Sequence, residues 1–268
     1  MIIIGEKING TIPGVKAAIE KRDSAFIVDR AVKQVQAGAD FIDICASTAP
    51  EHEIETLKWL IKVVQDVTDT PLSIDSPNPR VIEAVFKYVN KPGIINSISE
   101  EGDKCEVLLP LMAGNSWEVI GLTCDNNGIP SDLQTKLKIT EKMVEKADRY
   151  GVTPDRIHID PCVMALSTEN SSMLNFCEEI KTIKARFSDI HVTGAISNIS
   201  FGLPVRSLLN KTCMAFAIQA GMDSAVMDPM NKDMMGTIFA TYALIGKDKH
   251  CRKYSKAFRA GQIGSIVK

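Results

Sequence analysis

Short apolar runs alternate with amphipathic stretches along the whole chain. In one amphipathic stretch, Leu57, Leu60, Ile61 and Val64 repeat at the spacing of a single helix face. The apolar runs are nearly continuous, which is typical of parallel strands buried on both faces. We predict eight such strands, at residues 2–4, 41–44, 72–74, 93–95, 117–122, 156–159, 191–196 and 224–227.

Local signals predict where several helices begin and end. Asn78 followed by Pro79 is typical of an N-cap and the first helical residue. Ser131 with Gln134 fits a capping box, which predicts a helix running to about Tyr150. Four glycines lie where helices are expected to end: Gly38, Gly151, Gly221 and Gly246.

Eight strand–helix units in 268 residues predict a fold of the α/β class. The regular alternation fits a single-domain (β/α)8 TIM barrel over residues 1–268 and leaves no room for a linker. The structural alternative is a doubly wound open sheet. Its dinucleotide-binding form requires GxGxxG after the first strand, and residues 5–10 lack that spacing.

The composition narrows the class of protein. Apolar residues make up 45% and charged residues 24%, which predicts a soluble, well-packed chain. The net charge of −2 argues against non-specific electrostatic binding to nucleic acid or to an anionic membrane. No stretch is apolar enough to span a bilayer, and no basic segment precedes Glu6 as in a signal peptide. With seven cysteines and no CxxC pair, we expect a cytoplasmic protein.

Each predicted strand ends in a polar residue. In parallel barrels the carboxyl ends of the strands meet at one mouth, where active sites are built. A single Asp or Asn there is equally well explained as a turn former or helix cap. A complete set favours a shared ligand, because polar groups converging on one crevice need a partner. The set comprises Glu6, Asn9, Asp43, Asp75, Asn96, Ser97, Thr123, Asp125, Asp160, Asn198 and Asp228.

The chemistry of these side chains indicates the kind of ligand. The loops at 197–204 and 228–233 lack the glycine-rich run that cradles phosphate. No predicted strand ends in a lysine that could form a Schiff base. A neutral heterocycle rich in N–H groups fits better, because a carboxylate accepts two parallel hydrogen bonds and an amide both donates and accepts.

Seven motifs in chain order carry a family resemblance. Together they span about residues 2–246, and each falls at a predicted strand end. They are GEKIN (5–9), Asp43, IDSPN (74–78), INS (95–97), GLT (121–123), IDP (159–161) and SNIS (197–200) followed by Arg206 and Asn210. In these motifs the chain resembles the pterin-binding methyltransferase family, and within it the methyltetrahydrofolate:corrinoid methyltransferases.

The resemblance implies an activity. Members of that family have a (β/α)8 barrel and move a methyl group between N5 of tetrahydrofolate and the cobalt of a corrinoid (cobalamin) carried on a separate protein. Either direction is open. The family usually forms homodimers and holds no metal of its own. We therefore expect a cytoplasmic homodimer that works with a corrinoid protein.

The resemblance also implies roles for individual residues. Asn198 matches the residue that hydrogen-bonds near N5, and Asp75 and Asp43 are candidates for handling a proton. The expected pterin and folate contacts are Glu6, Asn9, Asp75, Asn96, Thr123, Asp160, Asn198 and Arg206.

Two features refine this expectation. After the second strand the family typically has Asp-Leu-Asn or Asp-Ile-Asn, whereas this chain has Cys45 in place of the final Asn. One polar contact in the cleft is therefore expected to differ. The string at 248–253 lacks the glycine of the DxHxxG motif of corrinoid modules, so we expect the corrinoid on a partner protein.

Other interpretations remain open at this level. Asp43, Asp75 and Asp160 could bind a divalent metal in a barrel hydrolase or lyase. The chain could bind a pterin without catalysis. Cys45, Cys124 and Cys162 could form a zinc thiolate site, although their spacing matches no zinc signature. We interpret His158 as a packed, hydrogen-bonded residue in preference to a catalytic one.

Overall fold

Eight parallel strands form the barrel. The structure is a computed structural model and describes residues 1–264. Neighbouring strands pair in the order β7-β6-β5-β4-β3-β2-β1-β8, and every pair is parallel. The (β/α)8 prediction is confirmed. The strands are β1 (Ile2–Asn9), β2 (Phe41–Cys45), β3 (Leu72–Asp75), β4 (Ile94–Glu100), β5 (Glu118–Asp125), β6 (Ile157–Asp160), β7 (His191–Val192) and β8 (Ser224–Met227).

Helices surround the barrel and cover the outer face of its strands. In the helix over residues 50–65, Leu57, Leu60, Ile61 and Val64 are all buried, as their spacing predicts. No helix within residues 1–264 is long and apolar enough to cross a membrane. The helices are α1 (Pro13–Lys21), α2 (Ser24–Gln36), α3 (Pro50–Gln65), α4 (Pro79–Phe86), α5 (Lys104–Leu108), α6 (Leu133–Asp148), α7 (Ser172–Arg186), α8 (Arg206–Ala220), α9 (Lys232–Leu244) and α10 (Arg252–Arg259).

The barrel closes irregularly between β7 and β8. The strand predicted at 191–196 is too long, because β7 ends at Val192. Beside it, an Asp223 carboxylate oxygen accepts from Val192 N at 2.9 Å, and Asp223 N donates to Val192 O at 3.2 Å. A side chain thus takes part in the closure. The chain then leaves the sheet and forms a short 3₁₀ turn, Ile196–Ser200.

Three strands extend at least three residues further toward the mouth than the apolar runs indicate. β1, β4 and β5 continue to Asn9, Glu100 and Asp125, whereas the predictions stopped at residues 4, 95 and 122. Pairing with the neighbouring strands carries the polar residues into the sheet. For example, Asn9 pairs with Cys45 of β2. Glu6 and Asn9 therefore lie within a strand and not in the loop after it.

Helix termini test the capping predictions. Asn78 caps α4, since its Oδ1 accepts from Arg80 N at 3.0 Å. The capping box at Ser131 is wrong. The N-cap is Asp132, whose Oδ1 accepts from Thr135 N at 2.8 Å, and a carboxylate also suits the positive end of a helix. At the end of α8, Gly221 has a φ of 124°, which a residue with a Cβ rarely adopts.

The barrel interior is filled by its own small cluster. Ile4, Ile94 and Ile120 are buried there, separate from the large core between strands and helices. His158 is fully buried, with Nδ1 2.9 Å from the Ser224 hydroxyl and Nε2 2.7 Å from a Glu118 oxygen. Both ring nitrogens are partnered, so the interpretation of His158 as a packed residue is confirmed.

Candidate active site

A cavity of about 700 Å³ opens at the carboxyl ends of the strands. Its volume is in the range of small-molecule sites, roughly 300–1,000 Å³. Ile120, Leu122 and Val226 supply apolar surface, and the rest is mainly polar. The predicted site residues in its lining are Glu6, Asn9, Asp43, Asp75, Asn96, Asp160 and Asn198. The barrel therefore brings together seven side chains that are spread over most of the chain.

Asp43 and Asn96 are fixed to each other at one side of this cavity. Asp43 Oδ1 accepts from the Ser73 hydroxyl at 2.6 Å and from Asn96 Nδ2 at 3.1 Å. These bonds orient the Asn96 amide. Burial and the neighbouring Asp75 carboxylate raise the pKa of Asp43 well above its usual value. Two acids in this arrangement can share a proton.

Asp75 ends β3, opposite Asn96 in the strand register. Burial raises the pKa of Asp75 to about 6, although the neighbouring Cys45 thiol opposes the rise. The Cys45 Sγ lies 3.1 Å from the Ser47 hydroxyl. Burial also raises the pKa of Cys45, so it presents a neutral thiol where the family typically has an amide.

Asp160 ends β6 on the other side of the cavity. Its Oδ1 accepts from Cys162 N at 2.7 Å. Burial raises the pKa of Asp160 to about 6, despite the opposing backbone N–H groups of Cys162 and Ala195. The main chain thus orients the Asp160 carboxyl group. At neutral pH this group is mostly ionised and can accept hydrogen bonds from a ligand.

Behind Asp160 lies an ion pair that the sequence patterns did not predict. Lys136 Nζ donates to Glu179 Oε1 and to Pro161 O, both at 2.7 Å. The side chains of Lys136 and Glu179 are only 4% and 5% exposed. A signal was present, because Lys136 is in register with the buried stripe of α6 that continues at Ile139 and Thr140. The pair joins α6 and α7 to the loop directly after Asp160.

Thr123 and Arg206 do not line the cavity. Thr123 is fully buried, and its hydroxyl donates to Asp160 O at 3.3 Å. The structure therefore places Thr123 in a supporting position in place of the direct contact that was expected. Arg206 is exposed, and its Nη2 donates to Ser197 O at 2.8 Å while its Nε donates to the Ser200 hydroxyl at 3.0 Å. Arg206 holds the turn that carries Asn198.

Asn198 lines the cavity from an exposed position at its rim. Its turn is braced a second time, because the Ser200 hydroxyl donates to Asn210 Oδ1 at 2.6 Å. The motif at 197–200 and the downstream Arg206 and Asn210 thus form one hydrogen-bonded unit. This unit fixes the backbone on both sides of the Asn198 side chain.

β1 contributes Glu6 and Asn9. Burial raises the pKa of Glu6 to about 7; the Lys7 charge opposes this and Asp228 reinforces it. Asn9 Oδ1 accepts from Thr11 N at 2.9 Å and from the Thr11 hydroxyl at 2.7 Å. These bonds orient the Asn9 amide relative to the cavity.

The residues considered as metal ligands are not assembled into a ligand set. Within residues 1–264, no group of three or more His, Cys, Asp or Glu side chains is arranged to hold a metal ion. This applies to Asp43, Asp75 and Asp160, and also to Cys45, Cys124 and Cys162. The geometry instead suits an organic ligand that donates several hydrogen bonds to acids and amides.

Comparison with known families tests the resemblance seen in the motifs. Residues 8–228 match the model of the family described as pterin binding enzyme. The chain belongs to the pterin-binding enzymes. The family membership inferred from the motifs is thereby confirmed. The site residues from Asn9 to Asn198 lie inside the matched region, and Glu6 lies just before it.

Individual relatives of this pterin-binding chain add detail. It is 58% identical over 268 residues to the methylcorrinoid:tetrahydrofolate methyltransferase of Eubacterium limosum, covering 99% of both chains. It is 28% identical over 250 residues to the methionine synthase of Mycobacterium tuberculosis, covering 87% of this chain but 21% of that protein. A dihydropteroate synthase of Coxiella burnetii in complex with pteroic acid superposes with a TM-score of 0.68 at 18% identity, covering 92% and 94% of the two chains. That last similarity shows the fold alone.

Proposed function

We propose that this protein is a methyltransferase that moves a methyl group from a methylated corrinoid to N5 of tetrahydrofolate. The observation that carries the proposal is the 58% identity, over 99% of both chains, to a protein named for those two substrates. The motifs predict the same pair of substrates but leave the direction open. The relative's name puts methylcorrinoid first, and we adopt that direction.

The cavity offers what a pterin ring requires. Asp75 and Asp160 accept hydrogen bonds from ring N–H and amino groups, and the Asn96 amide supplies a mixed donor and acceptor. Ile120 and Leu122 provide apolar contact for the flat ring. We propose these residues, with Glu6 and Asn9, as the pterin contacts. Thr123 and Arg206 do not contact the pterin in this proposal. Thr123 supports Asp160, and Arg206 holds the turn that carries Asn198.

The reaction in this direction makes N5 the nucleophile. Its lone pair attacks the methyl carbon, the cobalt–carbon bond breaks with its electrons staying on cobalt, and N5 then loses its proton. The Asn198 amide orients N5 and stabilises it as charge shifts. An amide is not a useful base, so the proton passes to water or to the Asp75–Asp43 pair. With a pKa of about 6, Asp75 is well matched to proton transfer near neutrality.

The corrinoid must approach over the open mouth of the barrel. We propose that it is carried on a separate corrinoid protein. The exposed position of Asn198 at the rim supports this arrangement, because N5 would lie where a docked corrinoid can reach it.

We also propose a cytoplasmic homodimer. Leu174 of α7 and Leu208 and Phe216 of α8 are 75%, 61% and 53% exposed. Large exposed apolar side chains on adjacent helices are typical of protein interfaces. Sedimentation equilibrium should show that the parent protein is a dimer and that Leu208→Glu dissociates it, and a monomeric parent protein would reject the proposed dimer.

The proposed cytoplasmic location rests on the cysteines. All seven are free, which is typical of a reducing compartment.

The methyl transfer itself is tested anaerobically. The protein is mixed with tetrahydrofolate and a methylated corrinoid, either free methylcobalamin or a methylated corrinoid protein. We expect the methyl–cobalt absorbance to fall, Co(I) absorbance to appear, and methyltetrahydrofolate to form in equal amount. Folate binding without turnover on either corrinoid would reject catalysis and favour a pterin-binding protein.

A further inference from the structure

The buried ion pair of Lys136 and Glu179 reaches the active site through the main chain. Neither side chain lines the cavity that holds the proposed pterin contacts. However, Lys136 Nζ donates to the carbonyl oxygen of Pro161 at 2.7 Å, and Pro161 directly follows Asp160 in the chain. The lysine therefore places an ammonium group against the backbone of the residue next to a proposed pterin contact.

The turn after Asp160 has a backbone conformation that needs support. Cys162 has a φ of 60°, in the left-handed region that a residue with a Cβ rarely adopts. Such a conformation persists where the surrounding structure holds it. The N–H group of Cys162 is also the one that donates to Asp160 Oδ1, at 2.7 Å. By binding Pro161 O, Lys136 holds this turn and helps to keep the Cys162 N–H group directed at the Asp160 carboxylate.

Stability alone does not explain why the support is charged. A neutral donor could hold the Pro161 carbonyl, and a buried ion pair is often no more stabilising than apolar residues of similar volume. Lys136 and Glu179 are nevertheless both charged residues, with side chains only 4% and 5% exposed. This favours a role for the lysine charge itself.

The charge of Lys136 acts on Asp160. Burial raises the pKa of Asp160 to about 6, whereas backbone N–H groups and the Lys136 charge oppose this rise. Three other titratable side chains line the same small pocket as Lys136, namely Glu169, Glu179 and Cys162. Burial raises the pKa of the Cys162 thiol, so this group is neutral. Lys136 is therefore the cation of this pocket, and it favours the ionised form of Asp160.

We propose that Lys136 is a positioning residue of the active site, whose ammonium group keeps the Asp160 carboxylate ionised and directed at the pterin. The inference rests on the proposed function, because it takes Asp160 as a pterin contact. Lys136 acts through the turn at 161–162 and does not touch the substrate. Its charge sets the pH below which folate binding weakens.

The test measures tetrahydrofolate affinity by calorimetry between about pH 5 and pH 8.5. Lys136→Met/Glu179→Gln is compared with Glu179→Gln, so both variants lack the Glu179 charge and they differ only at residue 136. We expect the pH of half-maximal affinity to be about 1 unit higher without Lys136, because Asp160 then lacks a neighbouring positive charge. The ligand, Glu6 and Asp75 are the same in both variants, so their own titration cancels in the comparison.

Two further variants serve as controls. Lys138→Met/Glu179→Gln removes a charge from the exposed face of α6 and should keep the pH dependence of Glu179→Gln. Lys136→Gln/Glu179→Gln retains an N–H donor for Pro161 O, and it replaces the Met variant if urea unfolding shows that the Met variant does not fold.

The inference is overturned if the pH of half-maximal affinity is unchanged in a folded variant without Lys136, or if the Lys138 control shifts equally. This holds even if affinity is lower at every pH, because a loosened turn alone would have that effect. In either case, binding of tetrahydrofolate by the parent protein leaves the proposed function standing. A parent protein that does not bind tetrahydrofolate rejects the proposed function, and the inference with it.

Discussion

Asp160→Asn tests the pterin site most directly. The backbone N–H of Cys162 donates to Asp160 Oδ1 at 2.7 Å, so in the variant this amide will hold the Asn oxygen. The Asn NH₂ group is then left for the cavity. A pterin ring presents N–H donors to this position. In the variant the Asn NH₂ group would therefore face a pterin N–H group, where the parent carboxylate accepts a hydrogen bond from it.

The magnitude follows from two losses. Removing a charge-assisted hydrogen bond costs about 1.5–3 kcal/mol, and leaving a buried donor unsatisfied costs about 1–3 kcal/mol. Together we expect roughly 3–5 kcal/mol, which weakens folate binding on the order of 10²- to 10³-fold or more. The fold should be retained, because the Asn oxygen keeps the bond to Cys162 N.

Calorimetry with tetrahydrofolate measures the effect, and urea unfolding checks the fold. A second readout comes from pH. Burial raises the pKa of Asp160 to about 6, so the parent should bind folate less tightly as pH falls below that value, and the Asn variant should lose this contribution. Parent-like affinity in a folded Asn variant would refute Asp160 as a pterin contact.

Three further predictions concern the rim, the support and the acids of the site. Asn198→Ala should lower the rate of methyl transfer about 10²-fold or more, measured in single turnover with the corrinoid spectrum; a parent-like rate would exclude Asn198 from catalysis. Lys136→Met leaves Glu179 buried without its partner and should cost about 3–5 kcal/mol in urea unfolding at pH 7, partly restored by adding Glu179→Gln; a loss below about 1 kcal/mol would contradict the structure. Burial raises the pKa of Glu6 to about 7, so the native state binds its proton more tightly than the unfolded chain, and stability from this group falls as pH rises from about 4.5 to 7. Glu6→Gln should therefore be about 3 kcal/mol more stable than the parent at pH 8 and nearly equal at pH 4, and equal stability at both values would show that ionised Glu6 does not destabilise the fold.

Much of the framework follows from the sequence. The eight apolar runs show where the strands lie in the sequence. Consecutive strands of a parallel barrel are neighbours, so the order of the strands along the chain also predicts their order in space. The same rule predicts that polar strand ends as distant as Glu6 and Asn198 converge at one mouth. Asn78 before Pro79 predicts a helix start because the capping hydrogen bond is local.

Only the tertiary structure decided how these residues are supported and charged. β7 ends at Val192, where Asp223, from another unit, bonds to the Val192 backbone. Thr123 lies behind Asp160, and Arg206 holds the Asn198 turn, although the sequence does not distinguish either residue from one that contacts the ligand. The raised pKa values of the site acids arise from burial, which depends on the assembled barrel. Distances between elements far apart in the chain decide each of these features, and no local pattern encodes such distances.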